Sequence, residues 1–339
     1  MVSGNKKLAI LFAGQGAQSP GMGKSLYDCS AAARDIFDSA GDELKSLIFK
    51  GSADELKDTR VTQPSVYTVD MAAWAAFSEA TELAGIYIKS QRCGMIVQDS
   101  IGIVGMAGFS LGEYAAMTAA GILPSFEEGL DLVRKRSEFM SMAGRYEDGS
   151  PRGAMAAVLG KREDVLDIVK MAQGNYVLEA VNFNSPSQTV IAGDAVGIKA
   201  FQDKVKQSGK KMRAIPLPVS TAFHTSIMDP ASEGIREAAT AIKFGEAGYD
   251  LCLNLTGRYI AGSDGNIPDI MSKQVRNPVY WQECLETLKA SGADTFIELG
   301  PGKTLSALVK KTIPGAEIYN IEDEESLNNT ISALKNNIN

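Results

Sequence analysis

The apolar run Ile101 to Ala107 ends in Gly108-Phe109-Ser110-Leu111-Gly112, and the helix-like stretch Glu113 to Ala120 begins at once. A strand that turns into a helix within five residues restricts the chain to folds in which helices pack on a sheet. The same half of the sequence repeats the rhythm, with Leu8 to Ala13 as a strand and helices around Ala31 to Ile48 and Ser65 to Leu83. This alternation predicts an α/β domain with a mostly parallel sheet. The turn also carries chemistry. A serine on a strained strand-to-helix turn projects its hydroxyl clear of the backbone, and the flanking glycines permit the bend and leave room for a substrate. Ser110 is therefore a candidate nucleophile, although the pentapeptide alone also fits a plain connection between elements.

A serine hydroxyl needs a neighbouring base, most often imidazole, to take its proton. The chain has one histidine, His224, so an imidazole of this chain that activates Ser110 must be this one. It sits where the extended run from Ile215 opens into a loop, a setting that favours binding and catalytic groups. A net charge of −7 and a pI near 5.0 argue against nucleic acid or an anionic membrane as main partner. Cys29, Cys93, Cys252 and Cys284 are scattered without a C-x-x-C pair. That pattern fits reduced thiols in a cytoplasm, and a single histidine makes a zinc site a poor reading. Lys6-Lys7 before Leu8 to Ala13 is similar to a short signal sequence, but the run passes into Gly14-Gln15-Gly16 without a cleavage site and reads as a first strand. No stretch is long enough to span a bilayer.

From about Gly153 the rhythm changes. Gly153 to Leu159 reads as a strand, Arg162 to Ala172 as a helix, Val177 to Asn182 and Thr189 to Ala192 as strands, Ala195 to Gln207 as a helix and Met212 to Leu217 as a strand. This β-α-β-β-α-β order predicts a ferredoxin-like subdomain at 151–218, inserted in a large domain formed by 1–150 and 219–339. The insertion separates Ser110 from His224 in sequence, so a cleft between the two units could bring them together. After His224 come a helix, a strand at Tyr249 to Leu255, a helix around Trp281 to Ala290 and a final strand, Thr295 to Leu299. The acidic run Glu322 to Glu325 and the Asn-rich tail read as a solvated face and a frayed end.

Other segments complete a pattern: Phe12-Ala13-Gly14-Gln15-Gly16-Ala17-Gln18, Thr62-Gln63-Pro64, Gly108 to Tyr114, Arg136-Ser137-Glu138-Phe139-Met140, Val181 to Pro186, Ala222-Phe223-His224, Asn277 to Trp281 and Glu298 to Gly302. In this order they span nearly the whole chain, which closely resembles the malonyl-CoA:acyl carrier protein transacylase family. The resemblance implies an α/β-hydrolase-like large domain and a malonyl-serine intermediate on Ser110, with His224 as base and then acid. It implies that a main-chain carbonyl, here that of Gln274, orients the histidine, and that the N–H groups of Leu111 and Gln15 form the oxyanion hole. Arg136 would grip the malonyl carboxylate, Gln63 would line the same pocket, and Phe223 would crowd a branched α-carbon. The partners implied are malonyl-CoA and acyl carrier protein, with no tightly held cofactor and no metal, in fatty acid synthesis or a polyketide assembly line served in trans.

Plainer readings exist for each residue. Arg136 falls in Arg134-Lys135-Arg136, where a charged helix face is the default, and Gln63 could be an ordinary helix-start residue. Gly14-Gln15-Gly16 after a strand suggests a nucleotide loop, but the next glycine is Gly21 and neither phosphate-binding motif fits. Where the family usually has histidine before the nucleophile, this chain has Phe109. An α/β-hydrolase-type esterase is the second reading, set back by the long structured segment after His224. A non-catalytic carrier-binding relative is the third. The basic clusters Lys210-Lys211 with Arg213 and Lys310-Lys311 are the candidate docking sites for an acidic carrier.

Overall fold

The computed structural model describes residues 6–90, 100–219 and 221–336; Cys93, Ser220 and the last three residues of the Asn-rich tail lie outside them. Among the described residues ten strands run in chain order: β1 (Lys7–Phe12), β2 (Tyr87–Ser90), β3 (Ser100–Gly108), β4 (Ala154–Leu159), β5 (Leu178–Ser185), β6 (Gln188–Gly193), β7 (Arg213–Pro216), β8 (Leu251–Cys252), β9 (Thr295–Leu299) and β10 (Glu317–Ile321). The larger sheet has the order β10-β9-β1-β3-β2, with β8 also on β3, and every pairing in it is parallel. Strands in such a sheet are covered on both faces and carry continuous apolar runs. Leu8 through Phe12 in β1 are accordingly fully buried, even residues toward one core and odd toward another.

The smaller sheet is antiparallel with the order β5-β6-β4-β7. Its two crossover helices, Arg162–Met171 and Ala195–Ser208, give the ferredoxin-like connectivity expected from sequence. Side chains alternate across β4. Ala156 and Val158 join Val165, Ile168, Ile191 and Phe201 in a core of the small sheet's own, whereas Met155 and Ala157 belong to the main core.

Four sequence expectations change. The helical stretch at Ala31 to Ile48 is two helices, Ala31–Ser39 and Asp42–Lys50, broken at Gly41, whose φ of 91° no other residue type adopts cheaply. The next helix is Thr59–Leu83 and starts before Ser65, because Asp58 caps it by accepting from Arg60 N–H and the helix carries Pro64 inside it. The strand read at Tyr249 to Leu255 is only Leu251–Cys252, since Leu253 N–H turns to Arg258 and Asn254 leaves the ladder for the elbow around Ser110. The C-terminal segment is not frayed as far as Asn336: β10 adds to the sheet, Asp323 accepts from Ser326 N–H, and the helix Glu324–Asn336 buries Leu327, Thr330 and Leu334. Among the described residues no helix is long and apolar enough to cross a membrane.

Candidate active site

Parallel sheets present ligand sites beyond the carboxyl ends of their strands. Here β1 and β3 end side by side, with Phe12 opposite Gly108, so the loop holding Gln15 and the turn holding Ser110 leave the sheet together. The two glycines of the turn are dictated by crowding. A Cβ on Gly108 would fall on the backbone of Gly112, and one on Gly112 would strike the carbonyl oxygens of Phe12 and Ala13. Ser110 has φ 51° and His224 φ 62°, the only non-glycine residues with positive φ among those described. Each such conformation costs an L-residue roughly 1–2 kcal/mol. Strain confined to these two positions marks them as held in place by their surroundings.

Ser110 Oγ lies 2.8 Å from His224 Nε2. On the far side of the ring, Nδ1 faces two main-chain carbonyls, those of Gln274 at 3.0 Å and Asn277 at 3.1 Å. Two acceptors fix the proton on Nδ1 and leave the Nε2 lone pair toward the serine. Burial, aided by the Arg136 charge, lowers the His224 pKa to about 4, so the ring is neutral at pH 7 and its Nε2 lone pair is free to accept a proton.

Arg136 is 1% exposed, which ends the charged-face reading of its helix, Phe126–Ala143. Its guanidinium donates to Gln63 Oε1 at 2.7 Å, to Ser110 Oγ at 3.1 Å and to Gln274 Oε1 at 3.3 Å, while Nε has no partner. No carboxylate pairs with it among the described residues. Glu113 is the carboxyl whose charge acts on it, and burial pushes that group up to about 8, so the protonated form dominates at pH 7. A buried cation without a counter-ion is costly, a cost that an anion from outside the chain would relieve. A relay of amides holds it: Gln15 Nε2 donates to Thr59, Gln63 Nε2 donates to Gln15 Oε1, and Gln63 Oε1 accepts from Arg136.

Gln15, Gln63, Ser110, Arg136, Phe223 and His224 line one cleft of about 520 Å³. Leu111 and Gln274 are buried directly behind it. The N–H groups of Leu111 and Gln15 form no hydrogen bond among the described residues. The opposite wall comes from the small sheet, where the side-chain oxygens of Asn182 and Asn184 are buried and unpaired. Phe109 packs its ring edge-on to Trp281 at 5.3 Å and so forms an apolar part of the lining. Sequence reasoning missed the Asn277 carbonyl and Asn254. Asn254 accepts from Ser110 N–H at 2.7 Å and donates to Gly108 C=O at 2.7 Å, and its sequence signal was no more than a polar residue interrupting an apolar run. Lys210 pairs with Asp164 and Asp167, which weakens that basic cluster, whereas Lys310 and Lys311 have no acidic partner among the described residues.

The model of the acyl transferase domain matches residues 10–337. The chain belongs to the acyl transferase family. Among its relatives in that family, malonyl CoA-acyl carrier protein transacylase of Bacillus subtilis is 37% identical over 335 residues, covering 97% of this chain and 98% of that one. The enzyme of the same description from Escherichia coli K12 is 31% identical over 312 residues, 91% of this chain and 93% of that one. The solved malonyl CoA-acyl carrier protein transacylase of Clostridium perfringens superposes with a TM-score of 0.83 at 35% identity, covering 97% and 98% of the two chains. A malonyl-transacylase in complex with its type II PKS acyl-carrier protein superposes with a TM-score of 0.84 at 29% identity, covering 97% and 100%. These acyl transferases share the parallel sheet and the small antiparallel sheet described above.

Proposed function

We propose that this acyl transferase moves malonyl from malonyl-CoA to the phosphopantetheine thiol of an acyl carrier protein, through malonyl-Ser110. The buried guanidinium of Arg136, 3.1 Å from the nucleophilic oxygen and without a carboxylate partner among the described residues, carries this reading. An acyl group that places its carbonyl at Ser110 and its free carboxylate on Arg136 has the two groups close together, as malonate does. Ser110 Oγ attacks the thioester carbonyl while its proton passes to His224 Nε2. The Leu111 and Gln15 N–H groups receive the oxyanion. The tetrahedral adduct then breaks its C–S bond, and the imidazolium returns its proton to the departing CoA thiolate. The carrier's thiol repeats the sequence in reverse, its proton going to His224 and finally to Ser110.

The thioester arm lies along the small sheet, whose Asn182 and Asn184 form that wall of the cleft. Phe223, beside the base, narrows the space at the α-carbon. This reading gives the reaction no cofactor and no metal, since the residues named supply its chemistry, and the scattered cysteines without a C-x-x-C pair support a cytoplasmic enzyme. The carrier is that of fatty acid synthesis, and the carrier complex of one structural neighbour makes a type II polyketide carrier the second acceptor class. Intact-protein mass spectrometry after brief exposure to malonyl-CoA tests the assignment. The native chain should gain one malonyl group and lose it to added carrier protein; folded Ser110→Ala should gain none. A Ser110→Ala protein that still transfers malonyl would sink the mechanism.

A further inference from the structure

Ser110 is held in a left-handed conformation that its own chemistry disfavours, and two buried carboxamides close on the peptide units either side of it. On the unit before Ser110, Asn254 Oδ1 accepts from Ser110 N–H at 2.7 Å, while Asn254 Nδ2 donates to Gly108 C=O, one unit further back, also at 2.7 Å. On the following unit, Gln274 Nε2 donates to Ser110 C=O at 2.7 Å. A trans peptide is planar, so its C=O and N–H point in opposite directions. Fixing the Ser110 carbonyl on Gln274 therefore aims the Leu111 N–H away from Gln274, and among the described residues that N–H has no partner.

The carboxamides are themselves fixed. Asn254 is fully buried; its N–H donates to Glu113 Oε2, and its C=O accepts from Tyr280 N–H at 2.9 Å. Gln274 is 1% exposed, and its Oε1 is held by Arg136. Its main-chain carbonyl serves the histidine independently of the side chain.

We infer that Asn254 and the side chain of Gln274 are positioning residues which clamp the two peptide units around Ser110, setting the direction of its hydroxyl and of the Leu111 N–H. Neither touches the reacting atoms. The inference rests on Ser110 being the nucleophile, but not on malonate being the acyl group.

A small fluorophosphonate probe separates the two, since it carries no carboxylate for Arg136 and no CoA. Ser110 Oγ forms a bond to phosphorus, fluoride leaves, and the serine proton passes through His224 to solvent. Asn254→Ala and Gln274→Met should each be phosphonylated about 10- to 100-fold more slowly, the loss expected when a reacting group is slightly misplaced. Gln274→Met keeps the side-chain length and the main-chain carbonyl, so it carries the test if Asn254→Ala does not fold. A merely structural role would lower the melting temperature and leave the rate per folded molecule unchanged. Either folded variant labelled at the native rate overturns the inference. Native protein that takes the probe but no malonyl refutes the proposed substrate alone, and native protein that takes neither refutes both.

Discussion

Replacing Arg136 by alanine should change which acyl group the enzyme accepts more than it changes the enzyme's capacity for acyl transfer. With malonyl-CoA the variant loses the buried cation placed beside Ser110 to pair with the free carboxylate. Truncating one partner of a buried, hydrogen-bonded charge pair costs about 2–5 kcal/mol, which is roughly 30- to 5,000-fold in rate at 1.36 kcal/mol per decade. Acetyl-CoA has no carboxylate and forfeits none of this. Two further effects favour acetyl transfer: the guanidinium no longer donates to Ser110 Oγ, and its charge no longer depresses the basicity of His224. General damage from the empty volume, and from Gln63 and Gln274 losing a partner, falls on both substrates alike. The quantity to measure is therefore the ratio of kcat/KM for malonyl-CoA to that for acetyl-CoA, by quenched acylation read as intact mass, with thermal unfolding as a check on fold. The ratio should fall by at least 30-fold while acetyl transfer holds or rises. Equal losses for the two substrates would refute the reasoning and leave Arg136 as a support of the fold.

Acylation of the free enzyme should stay level from pH 7 to about 5 and fall through pH 4, because His224 must be neutral to act and its pKa is about 4; a fall centred near pH 6.5 would contradict the buried-base geometry. The same shift acts on stability: the unfolded histidine binds its proton near pH 6.5, so His224 contributes fully above that value and its contribution is lost as pH drops from 6.5 to about 4, which denaturant titrations across that window measure. Lys310 and Lys311 lie on Thr304–Thr312, a helix that also lines the cleft, so reversing both charges should slow delivery to carrier protein, most at low salt, and spare malonylation by CoA; separate assays of the half-reactions decide it. Gly112→Ala should destabilise the fold by about 1–3 kcal/mol, an overpacking cost, because its new methyl meets the carbonyls of Phe12 and Ala13; an unchanged melting temperature would count against the crowding argument.

Local signals read well from sequence wherever one element carried its own period. The strand into Ser110, the helix Trp281–Ala290, the strand Thr295–Leu299 and the β-α-β-β-α-β run were all visible as patterns of apolar residues. The edge strands β2 and β10 were not, because half-exposed strands of four and five residues have too little apolar content to stand out. Within the cleft, Ser110 and His224 could be proposed from chemistry and count. Arg136 and Gln63 could not be told from a surface helix and a helix start without the family resemblance, since their burial follows from how Phe126–Ala143 and Thr59–Leu83 pack together. Asn254 was illegible for a related reason. Its role is set by bonds to Ser110 and Gly108, more than 140 residues away, and nothing adjacent to it in sequence records them.

The lone histidine makes the site its own spectroscopic label. In protein grown with ¹⁵N-histidine and purified without a histidine tag, the ring signals all arise from His224, so no assignment is needed to follow it. The Nδ1 proton, enclosed between the carbonyls of Gln274 and Asn277, is shielded from exchange with water, while Nε2 reports whatever happens to the serine. Acylation of Ser110 removes the hydroxyl proton that Nε2 accepts, and a ligand on Arg136 alters the field at the ring. Loading, discharge and carboxylate binding should thus register as shifts of a single pair of nitrogens in an enzyme of 339 residues.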